Sequence, residues 1–215
     1  MTGKLHCPLC ATEQNTPFFT DKRREYVRCD NCALVFVPPV YFLDRDAERA
    51  EYDLHENEID DPGYRQFLAR LAQPLLERLP PGASGLDFGC GPGPALAQML
   101  RDGGCQVALY DSFYYPDQSV LGQYFDFISA TEVVEHLHRP GVQLQQLWQQ
   151  LHAGGWLGVM TKLVRDAQAF ASWHYKNDPT HVSFFSETTW YWWAQRQDAS
   201  IEILGADVIL LQKPG

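Results

Sequence analysis

The chain has 215 residues, 45% of them hydrophobic, and a formal net charge of −10. That length suits one ordinary domain with a small appendage, and the apolar content excludes a disordered chain. No apolar run approaches the ~20 residues of a membrane-spanning helix, and the acidity makes a nucleic-acid backbone a poor partner without a segregated basic patch. Met1-Thr2-Gly3-Lys4 leads straight to Leu5-His6-Cys7 without the apolar core of a secretion signal, so a cytoplasmic protein is expected.

Four of the six cysteines stand in two pairs, Cys7-Pro8-Leu9-Cys10 and Cys29-Asp30-Asn31-Cys32, with eighteen residues between the pairs. This is the spacing of a zinc ribbon. Each C-x2-C turn offers two thiolates from one short loop, and two turns complete a tetrahedral site with bonds of ~2.3 Å. Structural Zn2+ on Cys7, Cys10, Cys29 and Cys32 is expected, with two disulfides as the alternative. Four thiolates leave no open position, so the metal is not catalytic. Tyr26-Val27-Arg28 and Ala33-Leu34-Val35-Phe36-Val37 read as strands around the second turn. A unit of about 40 residues has too little core to fold without its metal. Its cations (Lys4, Lys22, Arg23, Arg24, Arg28) exceed its acids (Glu13, Asp21, Glu25, Asp30) by one, which a tetrathiolate centre reverses, so it is not an RNA-binding surface.

Pro38-Pro39 ends the ribbon. Residues 41–63 form an acidic connector, with nine carboxylates between Tyr41 and Pro62 against Arg45 and Arg49. The expectation is a solvated linker or exposed helix. Helical spacing follows from Tyr64, with Phe67, Leu68, Leu71, Leu75 and Leu79 on one face, a kink expected at Pro74, and a stop at Pro80-Pro81-Gly82.

Next comes Leu86-Asp87-Phe88-Gly89-Cys90-Gly91-Pro92-Gly93, between a strand signal at 84–88 and a helical run at 94–102. A glycine turn between strand and helix N-terminus is the architecture of a nucleotide site. The pattern Asp-x-Gly-x-Gly-x-Gly differs from the pyrophosphate-binding fingerprint. Its acid would repel a pyrophosphate but can pair with an amino group. The stretch resembles the first motif of the class I S-adenosylmethionine (SAM)-dependent methyltransferases. Strand two, Gln106-Val107-Ala108-Leu109-Tyr110-Asp111, ends in an acid that the resemblance assigns to the ribose hydroxyls. Only thirteen residues (112–124) then precede Phe125-Asp126-Phe127-Ile128-Ser129-Ala130. They are too few for a crossover with its extra strand, so the family's third strand is expected to be missing, and with it the usual adenine acid. Asp117 is a weak substitute, and Phe113, Tyr114 and Tyr115 are candidates to cover the adenine.

Thr131-Glu132-Val133-Val134-Glu135-His136-Leu137 resembles the branch of the family whose fourth strand ends in Glu-x-x-Glu-His. A short helix here would place Glu132 and His136 on one face, with Glu135 pointing elsewhere. Arg139-Pro140-Gly141 opens a helix expected to close at His152-Ala153-Gly154-Gly155, before strand five at 156–161. Residues 170–185 are dense in aromatic and polar groups, and the resemblance makes them the acceptor wall. His181 is the first candidate for general base because neutral imidazole suits a hydroxyl acceptor near neutral pH. His136 and Tyr175 are further catalytic candidates, and Lys176 a secondary one. Ser186 caps a helix over 187–197 whose Trp190, Tyr191, Trp192 and Trp193 are expected to serve packing. A strand pair at 199–204 and 207–211 ends the chain.

The expectation is an α/β fold: a Rossmann-like, mostly parallel sheet lacking its third strand, with an antiparallel last strand and a zinc ribbon in front. The expected units are 1–40, 41–63 and 64–215. The resemblance implies SAM bound by Asp87, Phe88, Gly89, Cys90, Gly91, Gly93, Asp111, Ser112, Thr131, Glu132, Val133 and His136. The expected activity is methyl transfer to a hydroxyl or amine of a small molecule such as a sugar or phenol. An RNA methyltransferase using the ribbon, and a non-catalytic SAM-binding scaffold, are the alternatives.

Overall fold

The computed structural model describes residues 5–54 and 58–215; Lys4 and Glu56, counted above among the charges, lie outside the described residues. The strands are β1 (Asn15–Thr20), β2 (Glu25–Cys29), β3 (Val35–Phe36), β4 (Ser84–Phe88), β5 (Gln106–Tyr110), β6 (Phe125–Thr131), β7 (Leu151–Met160), β8 (Ser183–Phe184), β9 (Ser200–Leu204) and β10 (Val208–Gln212). The helices are α1 (Arg45–Tyr52), α2 (Pro62–Leu76), α3 (Ala95–Asp102), α4 (Pro140–Gln149), α5 (Ala167–Ala171) and α6 (Glu187–Arg196).

The central sheet has six strands in the order β5-β4-β6-β7-β10-β9. The first four are parallel, and β10 runs antiparallel to both β7 and β9. β5 is the edge, as expected for a sheet without its third strand. In place of a crossover, residues 112–124 hold an isolated bridge between Asp111 and Tyr115 and a 3-10 turn over Gln118–Gly122.

Local chemistry explains most boundaries. The Asp44 side chain caps α1, Asp61 caps α2, and Ser186 with Thr189 forms a capping box on α6. α2 begins at Pro62 rather than Tyr64 because proline suits the first helical position, where no N–H is needed. One boundary differs from expectation. His152-Ala153-Gly154-Gly155 lies inside β7 and does not close α4, which ends at Gln149. The β6–β7 register jumps from Phe125↔Leu151 to Phe127↔Trp156. The glycine pair absorbs this irregularity, and the Gly154 N–H goes to the carbonyls of Lys213 and Pro214. Tertiary partners thus draw the segment into the sheet.

Strand alternation divides the core. Val208 and Leu210 of β10 join α2 and α3 on one face, while Ile209 and Leu211 join α4 and α6 on the other. The second cluster also contains Cys7, Leu9, Cys29, Cys32, Leu34 and Phe36. The ribbon therefore shares a core with the α/β unit. Gly141, at the start of α4, makes this possible: a Cβ there would lie 2.2 Å from the Leu9 carbonyl oxygen. β3 also pairs with β8, so the ribbon sheet (β1-β2-β3-β8) includes a strand from the segment after β7.

Candidate active site

The carboxyl ends of β4, β5 and β6 open into one cavity of about 960 Å³, where parallel sheets hold their ligands. The turn after β4 forms one end of it. Gly89 and Gly91 take φ of +71° and +64°, and α3 starts just beyond, with Ala95 and Leu96 on the cavity wall. Asp87 is buried and accepts the Ser129 hydroxyl at 2.8 Å. Burial raises its carboxyl to about 6, against the opposing Ser129 bond. Asp111 accepts the Gly91 N–H on Oδ2 at 3.1 Å, and those of Phe113 and Tyr114 on Oδ1 at 2.8 and 3.1 Å. It thereby ties the end of β5 to the glycine turn and keeps acceptor capacity for a ligand hydroxyl. Phe88, Cys90, Gly93 and Ser112 complete this end. Burial, then the charges of Asp87 and Asp111, push the Cys90 thiol up. Phe113 and Tyr114 line the cavity; Asp117 does not, and caps the 118–122 turn instead.

The acidic connector contributes a wall that the charge count concealed. Arg45 bonds the Ser112 carbonyl at 3.1 Å and lies 4.8 Å over the Phe113 ring. The Tyr114 hydroxyl donates to Asp53 at 2.6 Å. Tyr52 packs edge-on against both Phe113 and His136. α1 therefore runs along the cavity, bridging its two ends. The available signal was the Asp44 cap with Glu48 and Tyr52 at i, i+4, which the density of acids obscured.

Thr131, Glu132, Val133 and His136 line the other end. No helix joins Glu132 to His136. Glu132 has φ +52°, and only Val134–His136 form a 3-10 turn. The reversal at Glu132, not helical spacing, puts both side chains on the wall. Glu135 is fully buried behind it, accepting Thr161 Oγ1 at 3.0 Å and the Tyr175 hydroxyl at short range. Burial, then the charge of Glu132, raises Glu135 to about 8, and burial raises Glu132 to about 7. Tyr175 reaches the cavity with its ring, while its hydroxyl is committed to Glu135 and Thr161. His181 Nδ1 is 2.7 Å from the Tyr175 carbonyl, which can only accept, so Nδ1 carries a proton, while Nε2 lies 3.7 Å from Asp178 Oδ2. The His136 and His181 rings are 4.6 Å apart.

Lys176 turns away from the cavity: its ammonium is buried against Asp21 of the ribbon at 3.3 Å. Beside it, Arg24 of the ribbon donates to the carbonyls of Lys176, Asp178 and Pro179, at 2.6, 2.8 and 3.1 Å. The aromatic density of 170–185 has the same origin, with Phe170 packed on Phe18, Phe19 and Tyr26. Much of the expected acceptor wall is thus the ribbon's seat, and the ribbon braces the loop that carries His181. Arg24→Ala is expected to lower stability by about 2–3 kcal/mol, the worth of charge-assisted bonds to buried carbonyls. SAM affinity should hold while the acceptor KM rises; calorimetry and steady-state rates check both.

The four ribbon cysteines converge. Cys7 and Cys32 are 3.5 Å apart at sulfur, as are Cys10 and Cys29, and the four thiols fit one cluster. No disulfide links them. A tetrahedron with ~2.3 Å bonds has edges of about 3.7 Å, so the set fits a four-coordinate metal.

A family model described as a methyltransferase domain matches residues 61–202. Among solved structures, the fold is similar to 1,6-didemethyltoxoflavin-N1-methyltransferase of Burkholderia thailandensis, solved with 1,6-didemethyltoxoflavin and S-adenosylhomocysteine. That match has 15% identity, covers 93% of this chain and 99% of that one, and has a TM-score of 0.54. The N-methyltransferase NodS of Bradyrhizobium japonicum WM9, solved with S-adenosylhomocysteine, matches at 15% identity over 79% of this chain and 98% of that one, with a TM-score of 0.50. A search of curated proteins finds no match. The chain belongs to the methyltransferase-domain family and is a class I SAM-dependent methyltransferase. Among the described residues, no helix is long and apolar enough to cross a membrane.

Proposed function

We propose that this enzyme methylates a hydroxyl, or alternatively an amine, of a small polar molecule. The observation that carries this reading is the cavity itself, with a glycine turn and two carboxylates at one end and two imidazoles at the other. SAM, when bound, supplies an electrophilic methyl group. Asp87 would pair with its ammonium group, Asp111 would accept from its ribose hydroxyls, and Phe113 and Tyr114 would cover its adenine, taking the place of the acid lost with strand three. At the acceptor end the proton must leave the attacking atom. His181 is the first candidate to take it, at Nε2, because the Tyr175 carbonyl holds its Nδ1 proton. The cysteine cluster is read as a structural zinc site, and the divisions 1–40, 41–63 and 64–215 as units of sequence whose cores have fused.

The ribbon speaks against the RNA alternative. Arg24 is buried and spends its donors on the carbonyls of Lys176, Asp178 and Pro179, and Arg23, although exposed, bonds the Asn177 carbonyl of the same loop. The scaffold alternative requires that SAM not be turned over. Incubation with SAM and a panel of sugars, phenols and amines, followed for S-adenosylhomocysteine release, tests both. His181→Ala is expected to lower turnover at least ~100-fold, the usual worth of a general base, with SAM affinity unchanged. An unaltered rate removes His181 from the chemistry.

A further inference from the structure

The geometry points to a divalent-cation site at the acceptor end of the cavity, ligated by His136 and His181 on its wall and by Glu135 from just behind that wall, whose role is to take the hydroxyl oxygen of the acceptor. One carboxylate oxygen of Glu135 and one ring nitrogen from each histidine lie within 4.8 Å of one another. Two imidazoles and a carboxylate are a recurrent three-ligand set for first-row divalent ions, leaving coordination positions for substrate.

The surroundings are those of ligands rather than of free bases. A metal-binding histidine characteristically donates its other ring N–H to a carbonyl or carboxylate, which fixes the tautomer and aims the lone pair. His181 does this through Nδ1 to the Tyr175 carbonyl, at 2.7 Å. His136 Nδ1 is 2.8 Å from Thr180 Oγ1, and that hydroxyl also bonds Asp178 Oδ1. A carboxylate can only accept from it, so the hydroxyl accepts from Nδ1–H. A His136–Thr180–Asp178 chain therefore sets this ring in the same tautomer, with Nε2 as the lone-pair nitrogen. The rings are brought together by the backbone, since the Val182 N–H donates to the Glu135 carbonyl at 2.8 Å. Glu135 in turn is held by two neutral donors, Tyr175 and Thr161. Among the described residues no lysine or arginine pairs with it, so in its ionised form a bound cation would be what offsets its lost hydration. On the same cavity wall, Glu132 Oε1 is buried without a hydrogen-bond partner. The cysteine cluster does not compete for this role, because its thiolates would close their own coordination sphere.

This inference rests on the methyl-transfer reading for its acceptor and revises one part of it: His181 would hold the cation, which acidifies the hydroxyl it binds, so that the proton leaves to water in the open cavity as the oxygen takes the methyl group and S-adenosylhomocysteine departs. A cation there favours acceptors that present a hydroxyl, or two adjacent oxygens, over simple amines. The test is Mn2+ binding to the zinc-loaded full chain, followed by electron paramagnetic resonance. Mn2+ prefers nitrogen and oxygen donors and leaves the thiolates to zinc. One Mn2+ per chain is expected, with affinity falling at least ~10-fold in His181→Ala and in His136→Gln, as for loss of a ligand or its support. SAM titration and thermal melting of each variant establish that it is folded. Two results overturn the site: no binding to the wild type at millimolar Mn2+, or binding that persists undiminished in both variants, which would place the ion on the acidic connector. If Mn2+ fails to bind while His181→Ala still loses turnover, the cation falls and the methyl-transfer reading stands. If Mn2+ binds as expected but no acceptor is methylated, the site stands and the acceptor reading falls.

Discussion

Gly91→Val abolishes SAM binding, so that calorimetric titration shows no heat at concentrations that saturate the wild type. Gly91 has φ +64°, a conformation that costs other residues about 1–2 kcal/mol and β-branched ones more. A Cβ there would meet no atom within 4 Å, so the protein can accommodate the side chain. What it fills is the cavity, whose wall Gly91 forms. Strain also disturbs the Gly91 N–H that holds Asp111 at 3.1 Å. Binding is therefore lost while Tm falls only modestly, at roughly 2–4 °C per kcal/mol for a chain of this size. The neighbouring Asp87 adds a pH signature. Its carboxyl is raised to about 6, chiefly by burial. It is ionised above that value and neutral below it, so pairing with an ammonium group weakens as pH falls through about 6. SAM affinity should follow that curve in the wild type and be weak and flat in Asp87→Asn. Wild-type affinity in Gly91→Val would remove the turn from the cofactor site.

Cys32→Ser is expected to abolish metal binding at the proposed zinc site and to disable the enzyme from a distance. Cys32 is fully buried within the core that the ribbon shares with β6, β7, α4 and α6. A structural zinc contributes ~10–16 kcal/mol to small isolated domains. Even a part of that, lost here, lowers Tm by roughly 10 °C or more. The acceptor end suffers most. β8 loses its partner β3, the Val37 N–H leaves the Val182 carbonyl it holds at 2.9 Å, and Arg24 releases the loop at 176–179. The cofactor end is built by β4, α3 and β5; α3 packs with α2 in a cluster that contains no ribbon residue, although one face of β4 and β5, through Leu86, Phe88, Ala108 and Tyr110, meets the cluster the ribbon shares. Below the transition, SAM affinity should therefore stay within about threefold of wild type, well under one 1.4 kcal/mol decade, while turnover collapses. Zinc content, differential scanning fluorimetry and calorimetry measure the three effects. Full zinc occupancy with unchanged melting would refute the assignment.

The ribbon faces inward, sharing its core with the α/β unit. Its buried cation, Arg24, is spent on carbonyls beside His181. Its cysteines lie in the main core rather than on a stalk. The acidic stretch after it is likewise part of the enzyme, because α1 lies between the residues expected at the adenine and His136.

What the sequence determined by itself was everything encoded within a few neighbouring residues. The glycine turn, the acid ending each of two strands, the C-x2-C pairs, the helix caps and the shortened 112–124 connection are local, because backbone conformation and ligand spacing are set at that range. Only tertiary structure decided the rest. The segment at 152–155 has the letters of a helix end, yet carbonyls at 213 and 214 draw it into β7. Lys176 and the aromatics of 170–185 have the letters of an active-site loop, yet they bury against Asp21, Phe18 and Tyr26 because the ribbon lands there. The approach of His136 to His181, forty-five positions apart, depends on one backbone hydrogen bond and on the pairing of β3 with β8. Such contacts are fixed by the burial of shared apolar surface, which is a property of the assembled core rather than of any stretch of sequence.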